Sequence, residues 1–216
     1  MRRLTTFLLA ATWLALAATG FGRPAAAAAT RILAFGDSLT AGYGLSEADG
    51  FVPQLTAALQ KMGRDVQVIN GGVSGDTTAG GLSRLDWALG DQPQVMLLEL
   101  GGNDMLRGLP PGVTATNLDQ IVAKAQAAKV TILLIGMKAA PNLGTDYRAQ
   151  FDALYPALAK SHNLLFYPFM LDGVAGDPSL LQGDGIHPNP KGVGIIVNRI
   201  LPSVIQALDA AAKPAG

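Results

Sequence analysis

Short runs that are apolar at nearly every position alternate along this chain with longer stretches where apolar residues recur every three or four places. The short runs are Arg31–Phe35 (RILAF), Val66–Ile69 (VQVI), Val95–Leu100 (VMLLEL), Val130–Ile135 (VTILLI) and Leu164–Tyr167 (LLFY). Continuous apolar runs of this length, ended by Gly, Asn or Pro, predict buried strands. The periodic stretches carry Val52, Leu55, Ala58, Leu59 and Met62 before Gly63, and Leu82, Leu85 and Leu89 before Gly90. Further on come Leu118, Ile121, Val122 and Ala125, then Phe151, Leu154, Tyr155 and Leu158 within Tyr147–Lys160, and last Val193–Leu208. That spacing puts the apolar side chains on one helix face. Pro156 and Pro202 interrupt the last two patterns. Strands apolar on both faces must be covered on both, which calls for a parallel sheet between helical layers. The expected fold is α/β, a single three-layer α/β/α sandwich with about five parallel strands. No internal repeat or linker divides it.

The first residues follow a different rule. Arg2 and Arg3 precede the apolar run Phe7–Ala18, Gly20, Gly22 and Pro24 break it, and Ala25–Ala29 offers small-residue cleavage points. This is the layout of a secretory signal peptide, expected over residues 1–29, with the folded domain at 30–216. The run is shorter than the roughly 20 residues that cross a bilayer, which disfavours a retained anchor, and no later stretch reads as long and apolar enough to span one. Arg2, Arg3 and Arg23 lie in the leader and no acidic residue does. A chain with 16 basic and 16 acidic residues therefore becomes mildly acidic once it is removed. That balance, with 15% charged residues, excludes a nucleic-acid binder, and 49% hydrophobic content argues against disorder. With no cysteine there is no disulfide framework, thiolate nucleophile or Cys-ligated metal site.

Four polar, glycine-rich segments stand where a parallel sheet presents ligands, beyond the carboxyl ends of its strands. They are Gly36-Asp37-Ser38-Leu39, Asn70-Gly71-Gly72-Val73-Ser74-Gly75-Asp76, Gly101-Gly102-Asn103-Asp104 and, before the closing helix, Asp184-Gly185-Ile186-His187-Pro188. Each alone reads as a turn or a helix start. Together they hold the parts of acyl transfer. Ser38 needs a base to become a nucleophile, and His187 is a candidate for that base. Asp184 is the candidate to fix the imidazole tautomer. The N–H groups of Ser38 and Gly75 and the side-chain amide of Asn103 are candidate donors to an oxyanion. Histidine is scarce, two in the chain, and one of them lies in such a turn.

On these four segments the chain resembles the SGNH subgroup of the GDSL hydrolases, over about Arg31 to Leu208. GDSLTAGYG, NGGVSGDTT, ELGGND and DGIHPN look most like the periplasmic bacterial thioesterase/lysophospholipase (arylesterase) branch. The resemblance implies a flavodoxin-like sandwich, no metal and no other cofactor, and cleavage of esters or thioesters through an acyl-serine. By that resemblance Ser38 is the nucleophile, Asp184 and His187 the acid and base, and Gly75 and Asn103 oxyanion donors alongside Ser38. It also implies a small-molecule ester or thioester substrate. The leader pattern implies an exported enzyme (periplasmic or secreted), with no stable membrane insertion once the leader is gone. A monomer is expected.

Other readings are set beside these. The G-x-S-x-G elbow is absent, and Gly42-Tyr43-Gly44 meets Glu47 where a dinucleotide loop needs glycine. A metal at Asp184, His187 and Asp177 lacks a further ligand. Met105–Gly112 reads as a loop whose Met105, Leu106 and Leu109 are a candidate wall for an acyl pocket. His162 is expected to cap a helix C-terminus. Glu99, in an apolar strand, must be hydrogen-bonded or protonated and is expected to brace the loops around Asn103. Asp37 is expected to fix its turn, and Trp87 to be core or helix surface. The rival functions are a carbohydrate O-acetyl esterase and, from another class, a non-catalytic acyl- or glycan-binding module.

Overall fold

The computed structural model describes residues 29–213. The expected signal peptide lies outside the described residues, apart from Ala29. Five strands form one sheet: β1 (Thr30–Gly36), β2 (Val66–Gly72), β3 (Val95–Glu99), β4 (Thr131–Ile135) and β5 (Leu165–Tyr167). Their order is β2-β1-β3-β4-β5 and every pairing is parallel. The central register sets Ile32 against Val95 and Val95 against Thr131. β1 has Ile32–Phe35 fully enclosed and β3 is buried throughout. This is why both runs are apolar without alternation.

Helices cover the two faces. α2 (Phe51–Lys61) and α7 (Pro190–Ala211) pack together on one side. α3 (Thr78–Leu89), α5 (Pro111–Ala127) and α6 (Thr145–Ser161) pack on the other, and short α1 (Ser38–Ala41) and α4 (Gly102–Leu106) follow β1 and β3. Leu118, Ile121, Val122 and Ala125 of α5 are all buried, as their spacing predicts. The order reverses beside β1: β2 lies on one side and β3 on the other. In such sheets that reversal opens a crevice at the carboxyl ends of the strands.

Several expectations need correcting. β2 runs on through Asn70-Gly71-Gly72, because these residues pair with Ala34, Phe35 and Gly36 of β1. Met62 lies past the end of α2 and is exposed, so it belongs to no core face. Met105 and Leu106 are helical in α4 and Pro111 opens α5, which leaves Arg107–Pro110 as the only true connection. α7 is long and apolar enough, by length and composition, to cross a membrane, contrary to the sequence reading. It lies against the sheet instead, burying Val193, Ile196, Val197, Ile200 and Val204. Of the two places expected for Trp87, it takes the helix surface, 79% exposed on α3.

Candidate active site

The carboxyl ends of all five strands open onto one cavity of about 530 Å³. Ser38 and Gly75 reach it from beyond β1 and β2, Asn103 from beyond β3, and His187 from the turn before α7. Thus the four segments read from the sequence meet at one place.

Asp37 caps α1 by accepting from the Leu39 N–H at 3.0 Å, which sets Ser38 as the first helical residue. The Ser38 Oγ lies 2.8 Å from His187 Nε2. His187 Nδ1 lies 2.6 Å from Asp184 Oδ2. Asp184 Oδ1 accepts from the N–H groups of Ile186 at 2.9 Å and His187 at 3.0 Å. Those bonds, His187 N–H first, lower the Asp184 pKa to about 2. A carboxylate ionised at all working pH values can only accept, so the imidazole proton sits on Nδ1 and the Nε2 lone pair faces the serine. The Tyr43 ring packs against the imidazole with centroids 4.7 Å apart, limiting its swing.

Around the serine oxygen stand candidate donors. The N–H groups of Ser38 and Gly75 make no hydrogen bond to the described residues. Gly75 sits at φ +83°, a left-handed conformation that glycine adopts without penalty. Its carbonyl accepts from Arg107 at 2.7 Å, which steadies the peptide next to the cleft. Asn103 Nδ2 donates to Asp37 Oδ2 at 3.0 Å and keeps its second hydrogen for the cavity. Arrayed this way, the groups can activate a hydroxyl and stabilise an oxygen that gains negative charge.

Met105 and Leu106 line the cavity, while Leu109 does not: its carbonyl accepts from the Tyr147 hydroxyl at 2.8 Å, outside the lining. Glu99 braces the serine turn rather than the Asn103 loop, accepting from Thr40 Oγ1 at 2.9 Å and Asp37 N–H at 3.3 Å. His162 caps α6 and holds its ring between Gln126 and Asp119, away from the cavity. Asp177 caps a 3₁₀ turn through the N–H of Ser179. Other contributors escaped the sequence reading. Arg84 donates to Asp76 at 2.6 Å, Gly71 O at 2.8 Å and Gly36 O at 3.0 Å, tying the ends of β1 and β2 together. In the sequence it is an ordinary polar residue of a helix. Met137 and Phe169, just past β4 and β5, line the cavity with no motif around them.

Comparison with known proteins follows the same outline. The profile of the GDSL-like lipase/acylhydrolase family matches residues 34–195. The chain is 42% identical over 163 residues to a Pseudomonas aeruginosa protein named esterase TesA, covering 75% of this chain and 81% of that one. It is 41% identical over 165 residues to the Escherichia coli K12 protein named thioesterase 1/protease 1/lysophospholipase L1, covering 76% and 78%. A crystal structure of TesA superposes with a TM-score of 0.79 at 37% identity, over 82% of this chain and 99% of that one. The structure of AlinE4, described as an SGNH-hydrolase family esterase, gives 0.71 at 45% identity, over 84% and 98%.

Proposed function

The chain belongs to the GDSL-like lipase/acylhydrolase family and is an ester hydrolase, and from that premise we propose the roles of its residues: Ser38 is the nucleophile, His187 the general base and acid, and Asp184 the group that orients it. Ser38 Oγ attacks the acyl carbon of an ester or thioester while its proton passes to His187 Nε2. The carbonyl oxygen becomes an oxyanion held by the N–H groups of Ser38 and Gly75 and by Asn103 Nδ2. Collapse breaks the bond to the leaving oxygen or sulfur, which takes the proton back from Nε2. Water, giving a proton to the same nitrogen, then attacks the acyl-serine; the bond to Ser38 Oγ breaks, that oxygen takes the proton back from Nε2, and the acid departs. No step calls for a metal or cofactor.

The observation that carries this reading is the unbroken chain from Asp184 to His187 to Ser38, with contacts of 2.6 and 2.8 Å. A binding module has no use for such a relay. The cavity wall of Met105, Leu106, Met137, Phe169, Leu171 and Leu181 favours an alkyl or aryl acyl group over a sugar. Esters and thioesters of the lipid type therefore stand ahead of carbohydrate O-acetyl esters. The relatives' names, thioesterase, arylesterase and lysophospholipase among them, agree with this substrate class. Ser38→Ala is expected to abolish hydrolysis of p-nitrophenyl butyrate and labelling by a fluorophosphonate while the far-ultraviolet circular dichroism stays unchanged. Near-normal turnover by that folded variant overturns the assignment.

The same reading takes residues 1–29 as a leader removed on export, to the periplasm or the medium, and the mature enzyme as a monomer that does not insert in membranes. N-terminal sequencing of the exported protein checks the leader, and light scattering checks the monomer.

A further inference from the structure

Two buried carboxyl groups lie behind the cleft, and neither belongs to the Ser38–His187–Asp184 relay. Asp37 is 3% exposed and Glu99 1%. Glu99 Oε2 accepts from the Asp37 N–H and the Thr40 hydroxyl, while Oε1 has no partner among the described residues. Asp37 accepts from the Leu39 N–H through Oδ1 and from Asn103 Nδ2 through Oδ2, each at 3.0 Å. The space is closed: a Cβ at Gly36 would come within 2.5 Å of Glu99 Oε2, and one at Gly102 within 3.3 Å of Asp37 Oδ2.

A side-chain amide has a donating end and an accepting end of nearly the same shape. Only the donating end stabilises an oxyanion. A charged Asp37 accepts and cannot donate, so it admits one orientation of Asn103: one Nδ2 hydrogen toward Asp37, the other toward the reacting carbonyl. A neutral group in place of Asp37 would let the amide turn and present its oxygen to the developing charge. Glu99 accepts from the backbone N–H of Asp37 and feels the charge of its carboxylate, and two neighbouring carboxylates so buried do not both ionise. The orphan Oε1 marks the neutral one. On a carboxylate it would be an unanswered charge, whereas on a carboxylic acid it is one unmade hydrogen bond. Burial, and then the charge of Asp37, push Glu99 well above the ordinary carboxyl range. Burial raises Asp37 as well, less far than Glu99, because the Leu39 N–H, Asn103 and His187 offset part of the rise.

We propose that Asp37 is a positioning residue whose carboxylate holds the Asn103 amide with nitrogen toward the oxyanion, and that Glu99 behind it stays protonated so that Asp37 can keep its charge. This rests on Asn103 being an oxyanion donor.

The test is a double-mutant cycle on p-nitrophenyl butyrate with Asp37→Asn, Asn103→Ala and the pair. Asp37→Asn is expected to lower kcat about 10- to 100-fold with KM within about threefold. Asn103→Ala is expected to cost about 10²–10³ in kcat in the wild type but about tenfold or less after Asp37→Asn. Losses that multiply overturn the proposal and leave the donor role standing, whereas an Asn103→Ala enzyme of normal kcat overturns both. The wild-type protein supplies a second measurement, free of any folding defect in Asp37→Asn. The side-chain amide of Asn103, assigned in NMR spectra by its loss in Asn103→Ala, is expected to hold one proton that exchanges slowly and one that exchanges fast. Two equally fast protons overturn the proposal. For Glu99, the infrared difference between wild type and Glu99→Gln at neutral pH is expected to contain the carbonyl stretch of a protonated carboxyl. A difference made only of carboxylate bands overturns the neutral assignment.

Discussion

Asp184 governs the protonation of the relay although it never touches the substrate. Its carboxylate is held by the N–H groups of His187 and Ile186 and by the His187 ring, which lowers its pKa from 3.8 to about 2. A carboxyl whose pKa is depressed in the folded state contributes stability above its unfolded value, and loses that contribution as the pH falls through the folded value. The thermal midpoint of the wild type should therefore exceed that of Asp184→Asn by a constant margin from about pH 7 to pH 5, and the gap should close from about pH 4 to pH 2. A gap that widens on acidification contradicts the assignment. Activity depends on the same relay, because His187 Nε2 must be free to take the serine proton, and it should fall on acidification. That loss should be reversible on return to neutral pH, with circular dichroism unchanged. The roles proposed for Ser38, Asp184 and His187 were readable from the sequence because Asp-x-x-His is a local pattern and histidine is rare. The bond from Asp37 to Asn103 was not, since it joins residues 66 positions apart and no local spacing records it.

Between elements, the site hangs on a second buried carboxylate. Asp104, fully enclosed in α4, accepts from the N–H and the hydroxyl of Thr78 at the start of α3, at 2.8 and 2.5 Å. Thr114 of α5 donates to it at 3.4 Å, and Asn117 of α5 donates to the Thr78 hydroxyl at 3.0 Å. Three helices are thus pinned beside Asn103 on one flank and the Gly75 turn on the other. Asp104→Ala leaves the buried Thr78 N–H and hydroxyl short of acceptors, and should cost about 3–5 kcal/mol in denaturant unfolding. Asp86→Ala, which removes an exposed pair with Lys124 at 2.9 Å, should stay within about 1 kcal/mol. Equal losses from the two would mean that Asp104 anchors nothing. The strands and the long helices were legible because burial writes itself into hydrophobic period. α4 was not: its five residues are too few for a period, and its glycine and asparagine suggest a turn. The extension of β2 through Asn70-Gly71-Gly72 was hidden for a related reason, because pairing with β1 fixes it and no apolar pattern marks it.

At the scale of the molecule, a parallel sheet puts every strand's carboxyl end at one edge, so chemistry and substrate wall are built from different strands. β1, β2 and β3 lead to Ser38, Gly75 and Asn103, and the turn before α7 adds His187, whereas the segments just past β4 and β5 supply Met137, Ala139, Phe169 and Leu171 to the same cavity. The sequence announced the first set through its glycine-rich motifs. The second set has no motif, since any apolar side chain of suitable size can line a wall, and only the folded sheet brings it opposite the serine. This division predicts how rate depends on acyl length. Burying one methylene is worth about 0.8 kcal/mol, close to a fourfold gain. If the wall grips the acyl chain in the transition state, kcat/KM for p-nitrophenyl esters should climb by up to about fourfold per methylene from acetyl onward, then level off once the cavity is filled. Ala139→Phe, which narrows that wall, should move the levelling point to shorter chains and leave the acetyl ester within about threefold of wild type. The wall's contribution would be disproved by a profile that is flat from acetyl to octanoyl, or by an Ala139→Phe variant whose optimum does not move while its fold is intact.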